Sequence, residues 1–521
     1  MPLPLYLMAV ELNTPDNWLE LLASFLEYSG YETKKQNNRL IIWDRIQEYR
    51  GFDYANAVCV ERLWLAPKRR SLSVSEKRIF FLEDNKTIDK RPEFVICEKV
   101  KVPESNIQER FVAQIAMLKH IKEFFSSHDS KYVKLDVVNL EKESLYGITI
   151  NKIDVSLKKR RLSQIYRENG FDYVPNDIEL YVCPLENVKA EYIRMYSNKL
   201  KKVLFDLGIE CRVKITEESK IRKALVGLNT VKPGRVFLFI LPSKENQVSK
   251  NTIELFDVLE KHGLPFRRAY ADDDLDYSII DQWPSLLFAL GGRGHKSLIN
   301  IEGNPIWTIG LDLGHSARAK FSNMAISLVN PEGEFIKGWV ARKKLDEGID
   351  AKLVTEMLKS CKKEILFHDD CPHIVVIRDG MFFKNDRLEE IKNIIGGNTT
   401  ILEYRKYNNP IVFKVEESSK PIYLNSPYAA IVPGENTIFA SALINKESKS
   451  FPKTAKVTWK SSLNDMQLSP EQIAYLLIRS SISPGLGLHN RYKPACIYWA
   501  DGIALTSEND LRFRGQRVCW L

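Results

Sequence analysis

Residues 306–315 read IWTIGLDLGH, an apolar run with an aspartate, Asp312, set inside it. Such a run reads as an apolar strand. Aspartate is disfavoured in strands, and a carboxylate buried without a partner is costly. Asp312 therefore reads as a residue kept for chemistry rather than packing. Downstream, MAISLV at 324–329 and FIKGWVARK at 335–343 read as two more strands, and Ala351 to Phe367 as a helix. HIVVIRDG at 373–380 is a further strand and Arg387 to Ile395 a further helix, after which TILEYRKY and PIVFKV continue as strands.

Three strands in series, then helix, strand, helix and further strands, is the order of an RNase H-like fold. Upstream the pattern differs. IELYVCP at 178–184 reads as a strand, Glu186 to Leu207 as a helix ending at Gly208, and VFLFILP at 236–242 as a buried parallel strand. Thr252 to His262 reads as a helix capped by Gly263. Strand alternating with helix implies a Rossmann-like layered domain, ending near LFALGGRGHKSL at 287–298. The earlier residues carry no readable motif. Apolar runs at Leu40 to Trp43 and Phe94 to Cys97 alternate with helical stretches such as Glu109 to Phe125, as in one smaller α/β domain or a small domain plus linker. The basic run 158–161 and the turn-rich NGFDYVPND at 169–177 close that region. The expected organisation is α/β in three blocks, 1–177, 178–305 and 306–521.

Composition agrees. The 521 residues are 44% hydrophobic and 27% charged, a globular profile that excludes dominant disorder and a small disulfide scaffold. No run approaches the ~20 apolar residues of a membrane span. The N-terminus, MPLPLYLMAVELNTPDNW, lacks the basic start of a signal peptide. The eight cysteines form no CxxC pair. Buried free thiols in a reducing cytoplasm, without structural zinc, are the expectation. Lys+Arg 76 against Asp+Glu 67 gives a net charge of +9. Part of that excess is clustered at 68–70, 158–161, 199–202 and 342–344. Such clusters suit a polyphosphate backbone, and singly they also read as solvated helix faces.

Two further aspartates stand at or beside apolar runs: Asp379 ends IVVIRDG, and Asp501 follows CIYWA. Acids converging from different elements can hold hard cations such as Mg²⁺ or Mn²⁺, and two such ions suit in-line cleavage of a polyanion. Taken alone, Asp379-Gly380 and Asp501-Gly502 read equally as turns, and Glu347 in KKLDEGID as a surface-loop acid.

Together these segments resemble the PIWI domain of the Argonaute family. GLDLGH at 310–315 is similar to the motif around that family's first catalytic aspartate, and IRDG at 377–380 to the second. YWADGIAL at 498–505 resembles the segment carrying the last metal ligand, and KLDEGID at 344–350 falls where the glutamate finger belongs, with Glu347 the match. ILEYRKYNNPIVFK at 401–414 and VTWKSSLNDMQLSPEQIAYLLIRSS at 457–481 follow the family's connecting text. The block 178–305 then resembles the MID domain, with VFLFILPSK as its central strand and loop.

The resemblance implies a nucleic-acid-guided endonuclease. It would bind a short DNA or RNA guide and cut a complementary DNA or RNA target, in defence against plasmids or phages. Asp312, Asp379 and Asp501 would ligate two Mg²⁺ or Mn²⁺ ions, with Glu347 completing the catalytic set. The Leu521 carboxylate would help bind a metal at the guide's 5′ end. In this family lysine and glutamine of the MID domain hold the 5′ phosphate. Here the expected lysine is replaced by Ala289-Leu290, and the glutamine position falls near Arg267-Arg268. Lys244, Gln247, Lys250, Arg267, Arg268 and Lys296 are the candidate replacements. The first 177 residues are too few for a full N-terminal, PAZ and linker set, so PAZ is expected to be absent or reduced. Short relatives of this kind have often lost their acids and recruit an effector protein. A catalytically silent, guide-dependent sensor is the alternative.

Overall fold

The computed structural model describes residues 5–506 except 82–86, 89–106, 127–130, 139–146, 157–161, 227–234, 243–248, 273–278, 280–285, 317–320, 345–350, 383–387, 416–420, 425–427, 442–453, 460–466 and 483–492, and besides these some single residues and pairs. By packing the chain divides into two units, residues 1–139 with 405–458, and residues 140–404 with 459–521.

In the first unit the strand Leu5–Glu11 pairs antiparallel with Arg69–Phe81, Lys131–Val137 and Val412–Val415. Successive strand residues point to opposite faces, and here both faces are buried. Met8 and Val10 meet the helices Trp18–Tyr28 and Ile107–Phe124 through Leu22, Leu26, Phe111 and Leu118. Leu7 and Ala9 pack with Val133, Val412 and Phe439. The segment 405–458, inside the block 306–521 expected from the sequence, thus supplies strands and core to this unit. The expected strand Phe94 to Cys97 lies outside the described residues.

The second unit opens with an antiparallel hairpin, Gly147–Ile150 and Ile153–Ser156, and the helix Leu162–Asn169, and continues with β1 (Ile178–Pro184), α1 (Ala190–Asp206), β2 (Cys211–Ile215), α2 (Glu218–Val226), β3 (Arg235–Leu241), α3 (Lys250–Lys261) and β4 (Phe266–Tyr270). The pairings among β1 to β4 are all parallel, in the order β2-β1-β3-β4, the Rossmann-like layering expected. α1 begins at Ala190 rather than Glu186, because Lys189 keeps an extended backbone. In such sheets ligands bind beyond the carboxyl ends of the strands, where the order reverses. Here that point lies between β1 and β3, after Pro184 and Leu241.

The rest of the unit is RNase H-like. β5 (Asn304–Ser316), β6 (Phe321–Val329) and β7 (Phe335–Lys344) form an antiparallel meander. After α4 (Ala351–His368) comes β8 (His373–Asp379), and after α5 (Leu388–Ile395) comes β9 (Asn398–Arg405). β8 runs parallel to β5 and β9 parallel to β8. α4 and α5 cover one face, burying Leu358, Ile365 and Ile391 against Ile309, Leu311, Ile326 and Val376. α6 (Pro470–Arg479) and α7 (Ala495–Thr506) follow. The capping box of Ser469 and Gln472 starts α6. α7 is held by Trp499, fully buried against Phe335.

A charged knot ties Asp172, ahead of β1, and Arg293, ahead of β5, to the turn between β6 and β7. Arg293 Nε donates to Asp172 (2.6 Å), and its Nη1 to Glu332 (2.8 Å) and Glu334 (3.0 Å). Beside it His295 Nδ1 and Tyr166 Oη share a 2.5 Å hydrogen bond, with His295 1% exposed. Burial pushes this imidazole down from its ordinary 6.5 to about 3. Between those values the unfolded chain takes up a proton that the folded chain refuses. Stability is therefore full above pH 6.5 and falls as the pH drops towards 3, by about 2 kcal/mol at pH 5. Urea denaturation of wild type and His295→Gln at pH 7 and pH 5 checks this. The variant should lack this share of the acid loss, and parallel curves would count against it.

Candidate metal centre

β5 sets the geometry. Trp307, Ile309, Leu311 and Leu313 face the core under α4 and α5. Gly310, Asp312 and Gly314, two residues apart, therefore share the opposite face, which is the face α7 covers. A Cβ on Gly310 would stand 2.2 Å from the carbonyl oxygen of Cys496, and one on Gly314 would stand 3.0 Å from Ala504. Only glycines let helix and strand approach so closely. β6 supports the same contact: Ser327 Oγ donates to Cys496 O (2.5 Å), and Asn323 Nδ2 to Ala504 O (3.3 Å).

The register brings in the second acid. On parallel β5 and β8, Gly310 pairs with Ile377 and Leu311 with Arg378. One residue further, Asp312 and Asp379 fall side by side, since neighbouring strands lie ~4.8 Å apart. Asp379 ends its strand. Gly380, with φ of +102°, turns the chain away while its N–H donates to Tyr404 O (2.9 Å). The turn reading of Asp379-Gly380 and its placement at the cluster thus hold together. The third acid comes from a helix, not from beside a strand: Asp501 lies within α7. Oxygens of Asp312, Asp379 and Asp501 all lie within 4.8 Å of one another. Asp312 is buried, the other two half-buried.

This donor set fits a hard divalent cation, which takes carboxylate oxygens. Asp312 Oδ1 accepts from the Leu313 N–H (2.7 Å). Lys493, which sequence reading missed, contacts Asp501 Oδ2 with its ammonium and is 7% exposed. Its only sequence signal is a basic residue shortly before an apolar run. Cys496, on α7, has its thiol pushed up to about 12 by burial and is not poised to react.

Glu347, Leu521, Lys244 and Gln247 lie outside the described residues. Lys250 begins α3. Arg267 and Arg268 sit mid-strand in β4, opposite Leu238 and Phe239, with Arg267 buried. Lys296 is paired with Glu332 (2.5 Å) within the charged knot.

No protein-family model matches the sequence, and no curated protein matches it. Among solved structures, Clostridium butyricum Argonaute bound to a guide DNA and a 19-mer target DNA is similar over 94% of this chain and 84% of its own, at 13% identity and a TM-score of 0.67. Marinitoga piezophila Argonaute in complex with a 5′ OH guide RNA and target DNA is similar over 96% and 87%, at 11% identity and a TM-score of 0.62. Drosophila Piwi is similar over 94% and 84%, at 12% identity and a TM-score of 0.63. The likeness is one of fold: mixed α/β, with the layered arrangement of the Argonautes. No helix among the described residues is long and apolar enough to cross a membrane.

The glycine contact makes a direct test. Gly310→Ala puts a methyl group into the Cys496 carbonyl, so α7 has to shift. Chemical denaturation should show a loss of about 3 kcal/mol. A variant as stable as wild type would mean that the helix does not lie where described.

Proposed function

We propose that this chain, built on the Argonaute fold, binds a short guide strand and hydrolyses a strand complementary to it. One observation carries the reading: three carboxylates within 4.8 Å of one another, two from strands of the RNase H-like sheet and one from α7. Residues 178–305 act as the guide-end domain, and the nuclease acids come from the block 306–521, of which 405–458 pack in the first unit. Base pairing selects the target, so the protein itself needs mainly backbone contacts and shape.

Asp312, Asp379 and Asp501 hold the divalent cations, Mg²⁺ or Mn²⁺, with Glu347 as the fourth acid. When bound, such cations activate water and neutralise the charge that develops in phosphodiester cleavage. The chain's own share is to fix its acids. The register orients Asp312 and Asp379, the Leu313 N–H steadies Asp312, and α7 presents Asp501. The guide's 5′ end belongs beyond the carboxyl ends of β1 and β3, served by Lys244, Gln247 and Lys250. Mid-strand placement makes Arg267 and Arg268 weaker candidates, and Lys296 already has Glu332. The Leu521 carboxylate would assist there through a cation. Defence against foreign nucleic acid is the matching biological role.

A second reading, a guide-loaded sensor that recruits an effector protein, draws on one observation. An ammonium, that of Lys493, already occupies Asp501. The decisive assay supplies purified protein and Mn²⁺ or Mg²⁺ with all four pairings of DNA or RNA guide and target, each guide with a 5′ phosphate or hydroxyl. Guide-dependent cutting at one fixed position is the expected outcome. Tight guide-dependent binding without cutting would replace the nuclease reading with the sensor.

Asp312→Ala and Asp379→Ala should each reduce cutting by several orders of magnitude while guide affinity stays within about twofold. Electrophoretic assays of cleavage and binding measure both. Cutting that survives either change would remove that aspartate from the site.

A further inference from the structure

Three carboxylates with oxygens within 4.8 Å repel one another and require positive charge nearby. The structure supplies one such charge from the chain itself. Lys493 stands two residues ahead of α7, 7% exposed, with its ammonium on Asp501 Oδ2. This is not a solvated surface pair of small consequence, because the lysine side chain is 9% exposed and that of Asp501 25%. An ammonium on a flexible four-carbon stem can change partners without moving the backbone. A divalent cation seeks the same carboxylate oxygens at ~2.0–2.6 Å. Lysine and cation therefore compete for Asp501.

Resting on the metal-centre reading above, we infer that Lys493 is a placeholder: it is the counter-ion of Asp501 in the cation-free protein and releases that carboxylate when a divalent cation binds. It does two things there. It lets the acids pack together before any cation arrives, and it weakens the hold of the centre on its first cation. A merely structural ion pair would do the first without the second. A permanent silencer would keep the cation out altogether.

The test uses the full chain without nucleic acid. Mn²⁺ binding is followed by the electron paramagnetic resonance signal of the free ion, in wild type, Lys493→Met and Asp312→Ala. Lys493→Met should bind Mn²⁺ about tenfold more tightly than wild type, a modest part of the Coulomb attraction at contact. Asp312→Ala should lose the site. Equal or weaker binding by Lys493→Met overturns the placeholder role. Should that variant not fold, lysine acetylation read by mass spectrometry tests wild type alone. Labelling of Lys493 should rise on saturation with Mn²⁺, and unchanged labelling in Mn²⁺-loaded protein overturns the inference. Absence of Mn²⁺ binding in both wild type and Lys493→Met is a different result, which overturns the metal centre itself and this role with it.

Discussion

A helix resting directly on a strand is the contact on which the candidate site depends. Gly310 and Gly314 leave no side chain between β5 and α7, and a Cβ at Gly310 would lie 2.2 Å from a helix carbonyl. The alternation of the strand then places Asp312 on the same face. Ser327 and Asn323 on β6 bind carbonyls near both ends of α7, so the helix is fixed in position along the strand as well as in height. Two glycines flanking an acid thus do two jobs. They admit the helix, and they leave the carboxylate between them on the face that α7 covers.

The other constraints are of longer range. Parallel register aligns Asp379 with Asp312, so the pair is a property of the sheet. Asp501 depends on tertiary packing, with Trp499 as anchor. Charge is offset in part by the Leu313 N–H on Asp312 and the Lys493 ammonium on Asp501. The Arg293 knot ties Asp172, just ahead of the parallel sheet, to the turn of β6 and β7.

Local pattern carried much of this in the sequence. The buried runs VFLFIL and IVVIRD declare their strands by composition, and the order of elements after Ile306 declares the RNase H-like sheet. Asp312 was legible because a carboxylate in such a run has few structural explanations. Less could be read where the decisive partner lies far along the chain. ACIYWADGIALT is apolar on every side, so periodicity cannot say helix or strand, and only its seat on Gly310 decides. Lys493 looks like any basic residue until Asp501 is beside it. Lys296 read as a free base for a phosphate, yet Glu332 holds it. Residues 405–458 show nothing in their composition to mark them as partners of the strand Leu5–Glu11.

That last feature bears on how the molecule comes into being. The first unit draws core residues such as Val412 and Phe439 from beyond the strands of the second. A chain leaving the ribosome cannot close its first sheet when its first 139 residues have emerged. It must wait until the RNase H-like strands up to Asn398–Arg405 have been made, against the usual habit of domains to fold in order of synthesis. α7 comes later still and brings Asp501 with it. The acid cluster therefore cannot be complete before Asp501 has been made, after every described strand of both units.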